Sequence, residues 1–369
     1  MSAFGRTDTS VVAHWWWTVD RPLLAVLGLL AATGLVFVFT ASPPVAELKG
    51  LGPWHFALRQ SVFLVLGVGV LLAASLLAPL GVRRIGIGLF AVSLVLLALV
   101  PLIGNEVNGA TRWLSIGGLG IQPSEFAKPA LIIVTAHLLA SRDGVAALPR
   151  AALPVAVVTG LLLLQPDVGT ALLVLVVFAA MVFVAGLAWP WVAFMAGTSI
   201  GVLVLAYQNF GHVRARIDAF LAADSGFQVD RSLQALAAGG WFGQGPGEGV
   251  VKNRLPDSHS DFVFSAGVEE FGLLIGLVIV LLFALIVLRT LLLADRQPDR
   301  FAQLAAIGLA TQLGLQATIN LGVNVAVLPA KGMTLPFVSY GGSSLLALAL
   351  GTGLMLALLR RTPTIVVLR

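Results

Sequence analysis

Ten apolar runs, each of span length or close to it, constrain this chain more than any other feature of its sequence. They lie near residues 22–41, 57–78, 85–103, 124–140, 151–165, 168–186, 188–207, 263–288, 301–322 and 338–359. A transmembrane helix needs about 20 apolar residues. Hydrocarbon offers backbone groups no water, so such runs must satisfy their hydrogen bonds internally, as helices. Composition agrees: of 369 residues 58 % are hydrophobic and only 11 % charged, more apolar surface than a water-soluble protein can hide. The expected fold class is therefore an all-α polytopic membrane protein with about ten transmembrane helices, forming one domain over 1–369. The fifth run is short and bracketed by Pro154 and Pro166, so a tilted or broken helix is expected there.

Orientation follows from the cations of the short loops. Counting through ten spans, one side holds Arg6, Arg21, Arg83, Arg84, Arg142, Arg150, Arg289, Arg296, Arg300, Arg360, Arg361 and Arg369. The short loops opposite hold only Lys49, Arg112 and Lys331. Both termini are thus expected in the cytoplasm, with the 1–21 segment, and one large extracytoplasmic loop, 208–262, between spans 7 and 8. The net charge of +5 reflects this asymmetry and gives no sign of nucleic-acid binding. Trp15, Trp16 and Trp17 read as an interfacial belt or short surface helix. No cleavable signal peptide is evident, and the absence of cysteine excludes disulfides and thiolate metal sites.

In so apolar a chain the ionisable groups near the membrane carry the information, because each costs about 2.5–3.5 kcal/mol at mid-bilayer. Three clusters stand out, all toward the external side. The stretch 108–130 has a Gly-rich loop, then Pro123 and Ser124 as a helix start with Ser124 as N-cap, then Glu125 and Lys128 on one face. A capping ion pair and a functional pair are both open readings. "QPDVGT" is an external turn whose Asp167 either caps the next helix or acts directly. The long loop carries Arg214, Arg216 and Arg231, then a glycine-rich, flexible stretch leading to His259 and Asp261. Its glycines match no nucleotide-binding pattern. His259 and Asp261 lack the further His or Cys that a metal site would need.

Asp261 stands where polar loop turns into membrane helix, at headgroup depth. A helix N-cap is the plain explanation, but Asp257, Ser258 and Ser260 could serve equally. Glu269 and Glu270 follow about two turns deeper, pointing about 100° apart. A carboxylate at headgroup depth, buried carboxylates and external cations suit a substrate with an acidic head and an apolar tail. Transfer of a sugar from a lipid diphosphate needs a base for the acceptor hydroxyl and cations or a metal on the diphosphate. A transporter also places charge inside a bundle, so the residues alone leave both open.

The ordered blocks "GATRWLSIGGLGIQPSEFAKPA", "QPDVGTALL", "GGWFGQGPGEG", "LPDSHSDFVFSAGVEEFG" and "LPAKGMTLPFVSYGGSS" resemble the signature blocks of the SEDS family (shape, elongation, division and sporulation). The likeness covers essentially the whole chain and is strongest to the division branch, of alphaproteobacterial type, more than to the rod-elongation branch. The resemblance implies ten spans and cytoplasmic termini in the bacterial inner membrane, at the division septum. It implies polymerisation of lipid II into peptidoglycan strands, with a class B penicillin-binding protein transpeptidase and other divisome membrane proteins as partners. It places the essential aspartate at Asp261 as general base and the supporting or substrate-binding pair at Glu125 and Lys128. Arg112, Arg214, Arg216, Arg231, His259, Glu269, Ser339 and Ser343 are further candidates for substrate contact. A divalent cation (Mg2+ or Mn2+) would assist, but the sequence does not establish one. Ser260 stands where the family commonly has threonine, and Phe227 where it commonly has tyrosine. The competing expectations are a lipid II flippase, a rod-elongation polymerase and a non-catalytic scaffold. A flippase needs polar groups along its whole path, whereas this chain keeps nearly all of them in the outer half.

Overall fold

The computed structural model describes residues 10–107, 110–116, 119–141, 144–222 and 226–360. Arg6, Arg142, Arg361 and Arg369, which entered the charge asymmetry, lie outside the described residues, as do Asn108 and Gly109 of the first cluster. The elements in order are α1 (Val11–Thr18), α2 (Arg21–Ala41), α3 (Pro43–Leu48), α4 (His55–Ser75) and α5 (Pro79–Ile103), then β1 (Asn105–Val107), β2 (Ala110–Ile116) and β3 (Leu119–Ile121). They continue with α6 (Pro123–Leu139), α7 (Leu148–Leu164), α8 (Val168–Val184), α9 (Trp189–Asn209), α10 (Gly211–Leu221), α11 (Gly226–Gly239), α12 (Val263–Phe271), α13 (Leu273–Ala294), α14 (Arg300–Asn324) and α15 (Gly342–Leu358).

Each apolar run contains a helix. Six of these, α2, α4, α5, α9, α13 and α14, are long and apolar enough to cross a membrane. The others, α6, α7, α8 and α15, have 17 residues each. Contrary to expectation α7 is unbroken, with Pro154 inside it. In α14, 67 % of the apolar window is buried, against 6 % in α9, so α14 is the central post of the bundle and α9 its periphery. The tryptophan segment is the short helix α1, tied down where Trp15 Nε1 donates to Ser75 Oγ at 2.9 Å. Arg21 lies over the Trp16 and Trp17 rings.

Four local expectations are corrected. The Gly-rich loop before α6 is a three-stranded antiparallel meander, β1-β2-β3, so the described chain is helical apart from this small sheet. The helix α6 starts at Pro123 with Gln122 in the cap position; Ser124 lies inside it, because proline suits the first helical position. The stretch 208–262, expected as a loop, contains helices: α10, α11 and a 3-10 turn, Val251–Arg254. Lastly, the run 263–288 is two helices, broken at Gly272, whose φ of 84° is open to glycine and strained for other residues.

The loop satisfies the backbone groups freed at that break. Leu273 N–H donates to Gly240 O at 2.9 Å, Gln244 N–H to Glu269 O at 2.9 Å and Gly245 N–H to Glu270 O at 3.0 Å. A helix can break at membrane depth only where such partners stand ready. The loop is fastened further by side chains: both Glu269 oxygens accept backbone N–H groups, from Val251 at 2.7 Å and Lys252 at 2.8 Å. The buried Lys252 ammonium pairs with Glu270 and donates to Thr40 O at 2.8 Å.

Candidate active site

Asp261 does not cap a helix. The helix α12 begins two residues later with Phe262 in the cap position, so capping does not explain the residue. Its backbone is held while its side chain is left unengaged. Asn320 and Asn324, one turn apart on α14, donate to Asp261 O at 2.9 and 3.0 Å. Asn324 Oδ1 in turn accepts from the Ser265 hydroxyl at 2.7 Å. Ser339 Oγ donates to Ser260 O at 2.5 Å, and Tyr340 N–H to His259 O at 2.9 Å. Among the described residues no hydrogen bond or ion pair engages the Asp261 carboxylate, which faces a cavity of about 430 Å³.

Three helix starts contribute to that cavity. Glu125 and Gln122 come from the beginning of α6, Asp167 and Thr170 from α8, and Gly341 to Ser344 from α15. Arg59, Arg112, Asp257, His259 and Gln316 complete its polar wall. Helix N-termini carry a partial positive charge and favour anions. Two are already answered by carboxylates: Asp167 accepts from Thr170 N–H at 3.4 Å, and Glu125 lies in the first turn of α6. The expected cap by Asp167 therefore exists, and its carboxylate also lines the cavity.

Charge balance tunes the site. Burial, then repulsion from Asp257, lifts the Asp261 pKa to about 7, against the pull of Arg216 and Lys331. The Lys331 ammonium lies 3.5 Å from Asp167 Oδ1 and 3.2 Å from Thr170 Oγ1. Burial lowers its pKa to about 8 even though Asp167 favours the charged form. Burial works against an ionised Asp167, but Lys331, Arg112 and the hydrogen bonds from Thr170 together outweigh it and hold that carboxyl below its usual range. Burial, with the Lys49 charge adding to it, takes His259 down to about 4. His259 is thus a neutral ring at physiological pH, packed against Phe56 and Tyr340 with centroids 4.4 and 5.4 Å apart.

The remaining candidates divide into those brought to the cavity and those kept away. Glu125, Arg112, His259 and Ser343 line it. Lys128 does not: its buried ammonium is bound by Glu125 Oε1 at 2.9 Å and Gln316 Oε1 at 3.0 Å, so it positions Glu125 from below. Ser339 supports the loop instead of lining the cavity. Arg214, exposed, donates to the Tyr207 and Gln208 carbonyls, and Arg231, partly exposed, to Gln234; both lie outside the cavity. Glu269 and Glu270 serve the loop, not the cavity. Arg216 lies outside the wall but close enough for its charge to act on Asp261. Sequence reasoning missed Arg59, Gln316, Asn320, Asn324 and the part played by Lys331. Amides one turn apart in a membrane helix were the available signal for the Asn pair. Among the described residues no three His, Cys, Asp or Glu side chains converge on a metal position.

Comparison with known proteins places this geometry. Residues 20–363 match the model of the cell cycle proteins of the FtsW/RodA/SpoVE type. The chain is 42 % identical to a probable peptidoglycan glycosyltransferase FtsW of Caulobacter vibrioides, over 98 % of this chain and 94 % of that one. It is 39 % identical to the protein of the same description from Halorhodospira halophila, over 94 % and 91 %. Among solved structures, a chain of a peptidoglycan synthase complex that coordinates polymerization and crosslinking superposes with a TM-score of 0.76 at 33 % identity, covering 93 % of this chain and 98 % of that one. The rod shape determining protein RodA of Thermus thermophilus gives 0.68 at 34 %, covering 93 % and 97 %.

Proposed function

Because the chain belongs to the FtsW/RodA/SpoVE family of cell cycle proteins, we propose that it is a peptidoglycan glycosyltransferase. It polymerises lipid II into glycan strands at the outer face of the bacterial cytoplasmic membrane, in septal wall synthesis. The observation that carries the mechanism is the unengaged Asp261 carboxylate, with a pKa near 7, facing a cavity large enough for a sugar. A general base works best when its pKa lies near the working pH. Asp261 takes the proton of the acceptor hydroxyl as that oxygen attacks the donor's anomeric carbon. The bond from that carbon to the diphosphate breaks, and nearby cations hold the departing charge. Asn320 and Asn324 contribute by fixing the backbone under the base.

In this reading the ten helices of the apolar runs all cross the membrane, both termini are cytoplasmic, and the cavity opens on the outside. The polar residues that α6, α8 and α15 give the cavity all sit at the starts of those helices, which favours an outer-leaflet enzyme over a transbilayer carrier. A class B penicillin-binding protein transpeptidase is the expected partner, with other divisome membrane proteins around it; the likeness to a chain of a peptidoglycan synthase complex supports this. A divalent cation, Mg2+ or Mn2+, would arrive on the substrate's diphosphate, since no three His, Cys, Asp or Glu side chains among the described residues converge; activity in EDTA against added Mg2+ measures that.

The test is polymerisation of lipid II by the purified protein with its transpeptidase, wild type beside Asp261→Asn. Polymer from the wild type alone supports the reading. Polymer from both moves the base elsewhere, and polymer from neither with the partner bound returns the weight to a flippase or scaffold.

A further inference from the structure

Beside the Asp261 cavity lies a second one, of about 220 Å³, with Arg112 common to both. Its walls are apolar, supplied by Leu172 of α8, Leu203 of α9, Ile217 of α10 and Ile319 of α14. Its only charged residues are three cations, Arg112, Arg216 and Lys331, and no carboxylate lines it. The larger cavity has the opposite balance, with Glu125, Asp167, Asp257 and Asp261 set against Arg59 and Arg112.

The cation cluster is assembled against repulsion. Arg112 disfavours the charge on both Arg216 and Lys331. Arg216 has neither a hydrogen bond nor an ion pair to a described residue, and Arg112 donates to the Gln165 and Pro166 carbonyls. Asp167 lies 3.5 Å from Lys331, and Asp261 acts on Arg216 and Lys331 through charge alone, without an ion pair to a described residue. Lys331 reaches this place by crossing the backbone at Gly169, where a Cβ would collide with the lysine's Cδ, Cε and Nζ. A slot lined by three cations and no carboxylate matches an anion with a hydrocarbon tail. A site this small suits a head group and the first carbons of its tail, since pockets that enclose a drug-sized ligand run to about 300–1,000 Å³.

We infer that the second cavity is the donor subsite: Arg112, Arg216 and Lys331 hold the diphosphate of the donor's polyprenyl anchor, while the Asp261 cavity receives the acceptor sugar. The assignment rests on the glycosyltransferase reading and deepens it, because two lipid-linked substrates are then held at once, on opposite sides of a shared wall. The acceptor oxygen bonds to the donor's anomeric carbon and its proton goes to Asp261. The anomeric carbon–oxygen bond breaks with its electron pair staying on the diphosphate, so the anchor leaves as a polyprenyl diphosphate among the three cations. Arg59 and the start of α15, which line the larger cavity, are free for the acceptor's own diphosphate.

The probe is undecaprenyl diphosphate, the leaving group itself, bound to the purified full-length protein in nanodiscs. Arg216→Gln and Lys331→Gln should each weaken its binding at least tenfold, with Arg216→Lys restoring most of the loss, and Asp261→Asn should leave it unchanged or tighter. Arg216 is exposed and bonds to no described residue, so its variant should keep the fold; Gly169→Ala displaces the lysine without removing its charge and should weaken binding too. Unchanged affinity in Arg216→Gln and Lys331→Gln, or a loss confined to Arg59→Gln, would overturn the assignment. Equal competition by phosphatidylglycerol would also overturn it, marking an ordinary phospholipid site. Wild-type polymerisation of lipid II is run in parallel. Polymer with unmoved affinities removes only the donor subsite, whereas absence of polymer removes the glycosyltransferase reading beneath it.

Discussion

At the scale of the residue, the site depends on two groups whose charge states oppose. Asp261 accepts a proton only when ionised, and its pKa is lifted to about 7, so kcat/KM should rise with pH through about 7. Lys331 holds an anion only when protonated and is lowered to about 8, so activity should fall again above about 8. Lys331→Arg, which stays charged throughout, should remove the alkaline limb and keep the acid one; a profile in which both limbs persist would sink the assignment. Asp261→Asn should reduce turnover by about 10²–10⁴-fold, the usual contribution of a general base, with the unfolding temperature little changed. Gly332 is a subtler position. A Cβ there would stand 2.9 Å from Asp261 Oδ2 and meet nothing else. Gly332→Ala should therefore lower kcat about tenfold at unchanged stability, read as paired turnover and melting measurements. Asp261 was legible in the sequence because a carboxylate at the mouth of an apolar run needs a reason. Lys331 was not, since only the fold shows that Gly169 leaves a channel for its side chain.

Elements are where the sequence was least informative. Hydropathy sees 263–288 as one run because it weighs side chains and ignores φ. The turn at Gly272 is a backbone event, stabilised by residues some thirty positions earlier. The helices α10 and α11 were hidden for a related reason: they are short, and the apolar side of α11 is buried through Val229, in a cluster against which Leu328 and Ala330 of the α14–α15 connection pack. Lys252 and Glu270 hold the loop against the broken helix, buried and paired. Removing one member of such a pair leaves an uncompensated buried charge, at a cost of about 3–5 kcal/mol. Lys252→Met should accordingly lower the unfolding temperature in detergent by several degrees, and Lys252→Met/Glu270→Met should recover part of it. A single variant as stable as wild type would show that the clamp does not matter for folding.

For the whole molecule, the succession of apolar helices and the placement of Asp261 beside cations were readable in advance, because bilayer thickness and the cost of buried charge act on any chain. Which arginines reach the Asp261 cavity was not readable, since Arg59 and Arg112, which line it, come from α4 and β2 and only the fold brings those together. The natural absence of cysteine makes the topology directly testable. Phe242 is 82 % exposed and Val11 71 %. Phe242→Cys should react with a membrane-impermeant thiol reagent in spheroplasts, and Val11→Cys only after permeabilisation. Labelling of both from one side would refute the span count. The strip from Lys252 to Asp261 also meets three separate helices. Lys252 and Ser258 bond the Thr40 and Ala41 carbonyls that end α2, Asn320 and Asn324 come from α14, and Ser339 and Tyr340 lead into α15. The base is thus located by triangulation: its coordinates are correct only when three bearings agree. A bundle with one helix out of place would still be folded and inserted, yet silent, and so could not polymerise before it was fully assembled.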